Sequence, residues 1–276
     1  MRYGKFLPEK GTIGFVAPSF GCNIEPYRSA FINAQKIWEQ QGYGFSFGPN
    51  AYEGCGIGIS NTPQKCAEEF NDWYAKEDVD VLISCGGGEL MCEILPYIDF
   101  EKIRNSEPKW FLGYSDNTNL IFLLATLCDT AAIYGPCAAA FGMEPWHDSL
   151  KDAMGILKGN IKSVHNYEQW EKEGLKTEDN PLEPYNVTEK FQLRTWTAEK
   201  GLSIPDDISK KTDEIIQMEG RLLGGCLDCL SILCGTKFDQ VEQFNEKYKE
   251  DGILWFLESC DLNPMGIRRA LWQLDE

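Results

Sequence analysis

The feature that most constrains this chain is an alternation running through its first half. Short apolar runs, each closed by a small-residue turn, are followed by stretches with helical spacing. Thr12-Ile-Gly-Phe-Val-Ala17, closed by Pro18-Ser19, predicts a buried strand. Residues 27–41 place Phe31, Ala34, Ile37 and Trp38 on one helical face, and Gly42 ends the pattern. Residues 44–47 predict a second strand. Thr62-Pro63 reads as a helix cap with proline in the first turn, opening a helix through Cys66, Phe70 and Trp73. Residues 79–84 predict a third strand, 110–113 a fourth and 131–134 a fifth, with an apolar helix to Cys128 between the last two. Strands separated by helices imply a mostly parallel sheet covered on both faces, in an α/β fold. Ligands of such sheets sit beyond the carboxyl ends of the strands.

The second half has a different character. Residues 178–212 are polar, rich in Glu, Lys, Thr and Pro, and read as a linker with a loop or short hairpin. That divides the chain into an α/β domain over 1–177, the linker, and a C-terminal domain over 213–276. In the latter, 215–223 predicts a strand, Gly224-Gly225 a turn, 227–234 a short helix, 253–257 a buried strand ending at Glu258, and 264–274 a helix.

Charge narrows the partners. Twenty-six basic against 43 acidic residues leave a formal charge of −17, which repels nucleic-acid phosphates and anionic lipid heads. Neither nucleic acid nor a membrane is an expected partner, although a small anionic ligand in a local pocket is compatible. The longest apolar run, 120–128, contains Thr126 and falls short of the roughly 20 residues a spanning helix needs. The N-terminus has no apolar segment behind its positive charge, so no signal peptide is expected. Eleven cysteines, several within apolar runs, read as reduced thiols in a cytoplasmic protein. Cys226-Leu-Asp-Cys229 with Cys234 lacks a second ligand pair, so neither a metal nor another cofactor is expected.

Three places could carry chemistry. Gly113-Tyr-Ser-Asp-Asn117 puts Ser115 on a tight strand-to-helix turn beside free helix amides, with Asn117 where a nucleophile elbow has its last glycine. Its other reading is a helix cap by Ser115 or Asp116. Cys85-Gly-Gly-Gly-Glu89 allows close backbone approach, either as an oxyanion hole with the Asp116 amide or as a plain turn. It lacks the Lys-Ser/Thr of a phosphate loop. Glu258 closes an apolar strand and could orient a catalytic histidine or pair with Arg268 or Arg269. The sequence holds two histidines, and both His147 and His165 read as surface or capping residues. Trp170, Tyr185 and Trp196 read as packing, with Trp196 also able to stack on a substrate ring.

Taken in order, 11–19, the glycines 86–88, Gly113-Tyr-Ser-Asp-Asn-Thr118, Gly220-Arg-Leu-Leu-Gly-Gly225 and Ile253-Leu-Trp-Phe-Leu-Glu258 resemble the LD-carboxypeptidase family of serine peptidases. That family includes muramoyltetrapeptide carboxypeptidases and microcin C immunity peptidases. The resemblance implies an N-terminal domain similar to class I glutamine amidotransferases and a smaller, mostly β C-terminal domain. It also implies a cytoplasmic homodimer and a Ser-Glu-His triad. Ser115 then matches the nucleophile and Glu258 the acid, with Gly87, Gly88 and the Asp116 amide at the oxyanion hole. The implied substrate is the L,D-peptide bond of a peptidoglycan tetrapeptide or an aspartyl-nucleotide amide, and the polar linker with Trp196 resembles the microcin-immunity branch. The group gripping a substrate carboxylate is left open between Arg221 and Arg194. The family histidine sits in a Gly-His segment well downstream of the acid, and the sequence ends at Glu276 without one. The expectation is a C-terminally incomplete second domain with little hydrolysis. The alternatives are a non-catalytic binding protein that retains the pocket and an unrelated α/β hydrolase using His147.

Overall fold

In the computed structural model, which describes residues 1–192 and 217–276, the alternation becomes a five-stranded parallel sheet. Its strands are β1 (Thr12–Val16), β2 (Gly44–Phe47), β3 (Val81–Ser84), β4 (Trp110–Gly113) and β5 (Ile133–Tyr134), in the order β2-β1-β3-β4-β5. Parallel neighbours need crossovers, supplied by α1 (Tyr27–Gln40), α2 (Pro63–Ala75), α3 (Phe100–Asn105) and α4 (Thr118–Thr126). Thr62 Oγ1 caps α2 by accepting from the Lys65 amide, with Pro63 in the first turn as expected.

Side chains alternate across the strands into two cores. Val16, Leu82 and Phe111 join one, under α2 and α4. Ile13, Phe15, Val81, Ile83 and Leu112 join the other, with Phe31 and Trp38 of α1 and with Leu150 of α5 (Asp148–Leu157). Burying each such side chain contributes about 1.5–3 kcal/mol. Leu120 to Leu124 of α4 are all buried, because that helix lies between the sheet and the C-terminal segment.

Beyond α5, β6 (Gln169–Glu171) and β7 (Val187–Lys190) form an antiparallel hairpin that straddles position 178. The C-terminal region is built on a two-stranded parallel sheet, β8 (Arg221–Cys226) with β9 (Ile253–Glu258). The helices α6 (Leu227–Leu233), α7 (Val241–Tyr248) and α8 (Pro264–Asp275) accompany it. Leu223, Leu230 and Phe244 extend the first core, so this region shares its interior with the large sheet.

Two sequence expectations are corrected. Gly224 and Gly225 are strand residues of β8 rather than a turn. A Cβ on Gly225 would stand 2.7 Å from the Thr118 side chain, so the glycine lets β8 press against the start of α4. β9 is an edge strand rather than a buried one. It pairs only with β8 among the described residues, leaving Trp255 and Leu257 37% and 36% exposed. No helix among the described residues is long and apolar enough to cross a membrane.

One buried charge ties the sheet's carboxyl edge together. Glu69 of α2 is 2% exposed. Its Oε2 accepts from the Ala17 amide at 2.8 Å and its Oε1 from the Asn50 amide at 2.9 Å, joining the ends of β1 and β2. Burial raises its pKa to about 7 against the opposing effect of those amides. The folded state therefore holds this proton more tightly than the unfolded chain. The stabilisation is complete below the ordinary Glu pKa of about 4.3 and is lost as pH rises to about 7, an effect of about 3 kcal/mol. Thermal melts from pH 4 to 8 should show wild type losing stability relative to Glu69→Gln across that window. Parallel curves would contradict this.

Candidate active site

Ser115 lies two residues past the end of β4, after Tyr114, and begins the turn into α4. Its φ is 61°, in the left-handed region that side chains other than glycine seldom adopt. Such strain costs about 1–3 kcal/mol and persists only where neighbours enforce it. The next two residues do so. Asn117 Nδ2 donates to Gly86 O at 2.9 Å and to Tyr114 O at 3.0 Å, stapling the serine turn to the glycine turn after β3. A Cβ on Gly113 would lie 2.7 Å from Asn117 Cγ, so the glycine makes room for the folded-back amide. This explains why asparagine occupies the elbow's last position. The buried Asp116 carboxylate accepts from the Ser19 hydroxyl, from the Met91 amide at 2.9 Å and from Asn119 Nδ2 at 2.9 Å. Burial raises its pKa, and those donors oppose the rise. No side chain caps the start of α4, so the capping role considered for Ser115 and Asp116 is not the one they play.

The glycine turn lies against the serine. A Cβ on Gly87 would come within 3.1 Å of Ser115 Cβ and 3.2 Å of its Oγ, whereas Gly88 backs onto Ser19 and Gly58. The Gly87 carbonyl accepts from the Phe20 amide at 2.7 Å. Among the described residues, the Gly87 and Asp116 amides donate to no protein acceptor. These turns line a cavity of about 360 Å³ that also includes Tyr27, Tyr114, Lys176 and Tyr185.

Glu258 reaches the same place through an intermediary. It ends β9, in register with Cys226 of β8, and its Oε1 accepts from the Tyr134 hydroxyl. That hydroxyl accepts from the Ser115 amide at 2.9 Å. A chain from backbone amide to phenol to carboxylate thus links the serine turn to the C-terminal sheet. Burial and the adjacent Glu258 push the Tyr134 pKa well above the phenol range, so it stays a donor. Sequence reasoning missed Tyr134. Its position at the carboxyl end of β5, beside β4, was the available signal.

Other candidates lie elsewhere. His147 Nδ1 sits 2.9 Å from Ser149 Oγ at the start of α5, and its ring packs edge-on against Tyr167 and Tyr185. His165 packs near Tyr167. Neither hydrogen-bonds to Ser115 or Glu258, so the reading with His147 as base lacks its required contact. Arg221 pairs with Asp251 at 2.6 Å, lies over the Tyr248 ring and lines a different hollow. Trp196 and Arg194 lie outside the described residues. Trp170 is 49% exposed rather than packed, while Tyr185 packs on the second core and lines the cavity. Among the described residues no cluster of three or more His, Cys, Asp or Glu could hold a metal.

Comparison with known proteins places this geometry in context. Residues 13–135 match a family model described as the LD-carboxypeptidase N-terminal domain, and 219–276 match its C-terminal domain. The microcin C7 self-immunity protein MccF of Escherichia coli is 23% identical over 233 residues, covering 82% of this chain and 62% of that protein. A Vibrio cholerae relative that carries a carboxypeptidase name by inference is 32% identical over 151 residues, covering 52% of this chain and 43% of that protein. The chain thus spans less than two thirds of the length of either. The structure of MccF in complex with glutamyl sulfamoyl guanosine superposes with a TM-score of 0.76 at 20% identity, covering 99% of this chain and 75% of that one. An MccF-like protein from Streptococcus pneumoniae in complex with AMP gives 0.73 at 19%, covering 96% and 78%. At these identities the likeness establishes the fold.

Tyr134→Phe should remove the acceptor for the Ser115 amide and the donor to Glu258. The expected cost is about 1–3 kcal/mol for a buried donor left unpaired, read from denaturant melts. Labelling of Ser115 by a fluorophosphonate should slow about tenfold, because the turn loosens. Unchanged labelling would show that the relay does not position the serine.

Proposed function

The chain belongs to the LD-carboxypeptidase family, and on that footing we propose that it is a serine hydrolase acting on a small amide or peptide substrate. Ser115 Oγ attacks the substrate carbonyl. The oxygen that becomes negative lies against the amides of Asp116 and Gly87, with Gly88 shaping the turn. Preorganised donors of this kind act on charge that develops only in the transition state, and losing one costs about 10²–10³ in rate. Glu258 is the acid of the site and acts through whatever it holds, Tyr134 in this conformation. The proton lost by the Ser115 hydroxyl passes through solvent or added imidazole to the departing nitrogen as the amide C–N bond breaks, and water then hydrolyses the acyl-serine ester and restores the hydroxyl.

The observation that carries this reading is the strained Ser115 backbone beside two unused amides. Nucleophile elbows place their serine this way, and a plain turn has no use for the strain. The proposed substrate is an aspartyl-nucleotide amide, supported by relatives whose solved structures hold sulfamoyl nucleosides or AMP. The L,D-peptide bond of a peptidoglycan tetrapeptide is the second substrate, supported by the family description. A cytoplasmic homodimer that recycles peptidoglycan or confers microcin immunity completes the proposal.

One observation favours a second reading, a binding protein that keeps the pocket without turnover. Among the described residues, neither His147 nor His165 contacts Ser115 or stands ready to take its proton. One experiment separates the two. The chain is assayed on an aspartyl sulfamoyl nucleoside and on a tetrapeptide, with and without added imidazole. The hydrolase reading expects slow release that imidazole accelerates, abolished in Ser115→Ala and reduced about 10²-fold or more in Glu258→Gln. Tight binding without release at any imidazole concentration would establish the binding reading instead.

A further inference from the structure

The cavity beside Ser115 has an uneven chemistry. Among the described residues that line it, Lys176 is the lone charged side chain. The remaining wall is glycine backbone, small residues and the rings of Phe20, Tyr27, Tyr114 and Tyr185. Phe20 and Tyr27 meet edge to face at 5.4 Å and form one side. Among the described residues no aspartate or glutamate lines the cavity, although the chain carries 43 of them.

Lys176 lies between β6 and β7, and its stem is half-buried. The carboxylate that acts on it most is Glu171, whose Oε2 is already occupied by the Asn186 amide at 2.6 Å. Among the described residues no carboxylate lies within ion-pair distance of the Lys176 ammonium. A cation kept in a half-enclosed apolar pocket has lost part of its hydration, here without a full ionic partner among the described residues. A ligand anion would supply that partner, and a charge-assisted bond there gains from the low local dielectric. The protein's net charge of −17 repels anions at long range, so a local cation has to decide whether one binds.

We propose that Lys176 is the anion-recognising residue of this cavity. It pairs with a carboxylate, phosphate or sulfamate of the ligand while the aromatic wall holds the ligand's flat or apolar body. This deepens the hydrolase reading by naming the substrate class as singly or doubly anionic, and it replaces Arg221, which faces another hollow and is paired with Asp251. A lysine suits either source of charge, because its compact ammonium does not demand the planar geometry an arginine reads.

Calorimetric binding to two matched pairs tests this. One pair is adenosine 5′-monophosphate against adenosine. The other is a tetrapeptide ending in D-alanine against its C-terminal amide. The unmodified chain should bind the charged member about tenfold or more tightly in at least one pair, and the pair that does so identifies phosphate or carboxylate as the source. Lys176→Ala and Lys176→Met should both erase that preference, whereas Lys176→Arg should keep most of it. Thermal melts of all three confirm that the fold is intact. A preference that survives in both Lys176→Ala and Lys176→Met overturns the proposal, and so does the absence of any preference in the unmodified chain. Ser115→Ala should retain the preference. A chain that discriminates charge but never acylates Ser115 would therefore remove the hydrolase reading and leave this one standing.

Discussion

The left-handed backbone at Ser115 is the constraint on which the rest of the site depends, and two buried side chains impose it. Asn117 folds back over Gly113 and bonds the glycine turn after β3. Asp116 reaches the Ser19 turn after β1 and the Met91 amide beyond β3. Three strand ends are thereby locked to one another by polar contacts inside the protein. Buried polar groups are costly unless satisfied, so these contacts leave the turn few alternatives. The serine itself does none of this holding, and its hydroxyl stays beside Gly87 at the edge of the cavity.

The C-terminal segment contributes by pressing on the same place from the other side. The Cys226 amide donates to Thr118 Oγ1 at 2.9 Å, at the first residue of α4. Gly225 lets β8 approach closely enough for that bond. Because β8 and β9 run parallel, their carboxyl ends arrive together, and Glu258 is delivered to Tyr134. The carboxyl ends of the small parallel sheet and the large one thus meet at one place. The site is one junction between two sheets, and the Tyr134 hydroxyl bridges it.

Much of this could be read from the residues. The alternation placed all five strands of the large sheet, because apolar runs closed by turns mark the buried β1, β3 and β4, and short runs mark the half-exposed β2 and β5. The Ser115 and Gly86 to Gly88 turns were legible for the same reason, as they interrupt strong patterns. What the sequence hid were contacts between distant segments. Tyr134 has no local signature, since its partners are an amide 19 residues earlier and a carboxylate 124 residues later. Lys176 sits in a polar stretch where nothing marks one lysine over another. Gly224-Gly225 read as a turn because glycine pairs commonly make turns. Here Gly225 makes room for Thr118 and Gly224 for the Phe256 backbone of β9, which only the tertiary arrangement reveals. β9 read as buried from its composition, yet its outer edge has no neighbouring strand among the described residues.

The central claim is that the Gly87 and Asp116 amides are aimed at an anion formed on a group bonded to Ser115. A crystal structure with a boronic acid bound addresses it most directly, since a tetrahedral boronate mimics the charge at that step. The account expects a covalent bond to Ser115 Oγ and a boronate oxygen about 2.7–3.1 Å from both amide nitrogens. A boronate bonded to Ser115 with its oxygens turned away from both amides, or one that leaves Ser115 untouched, would contradict it.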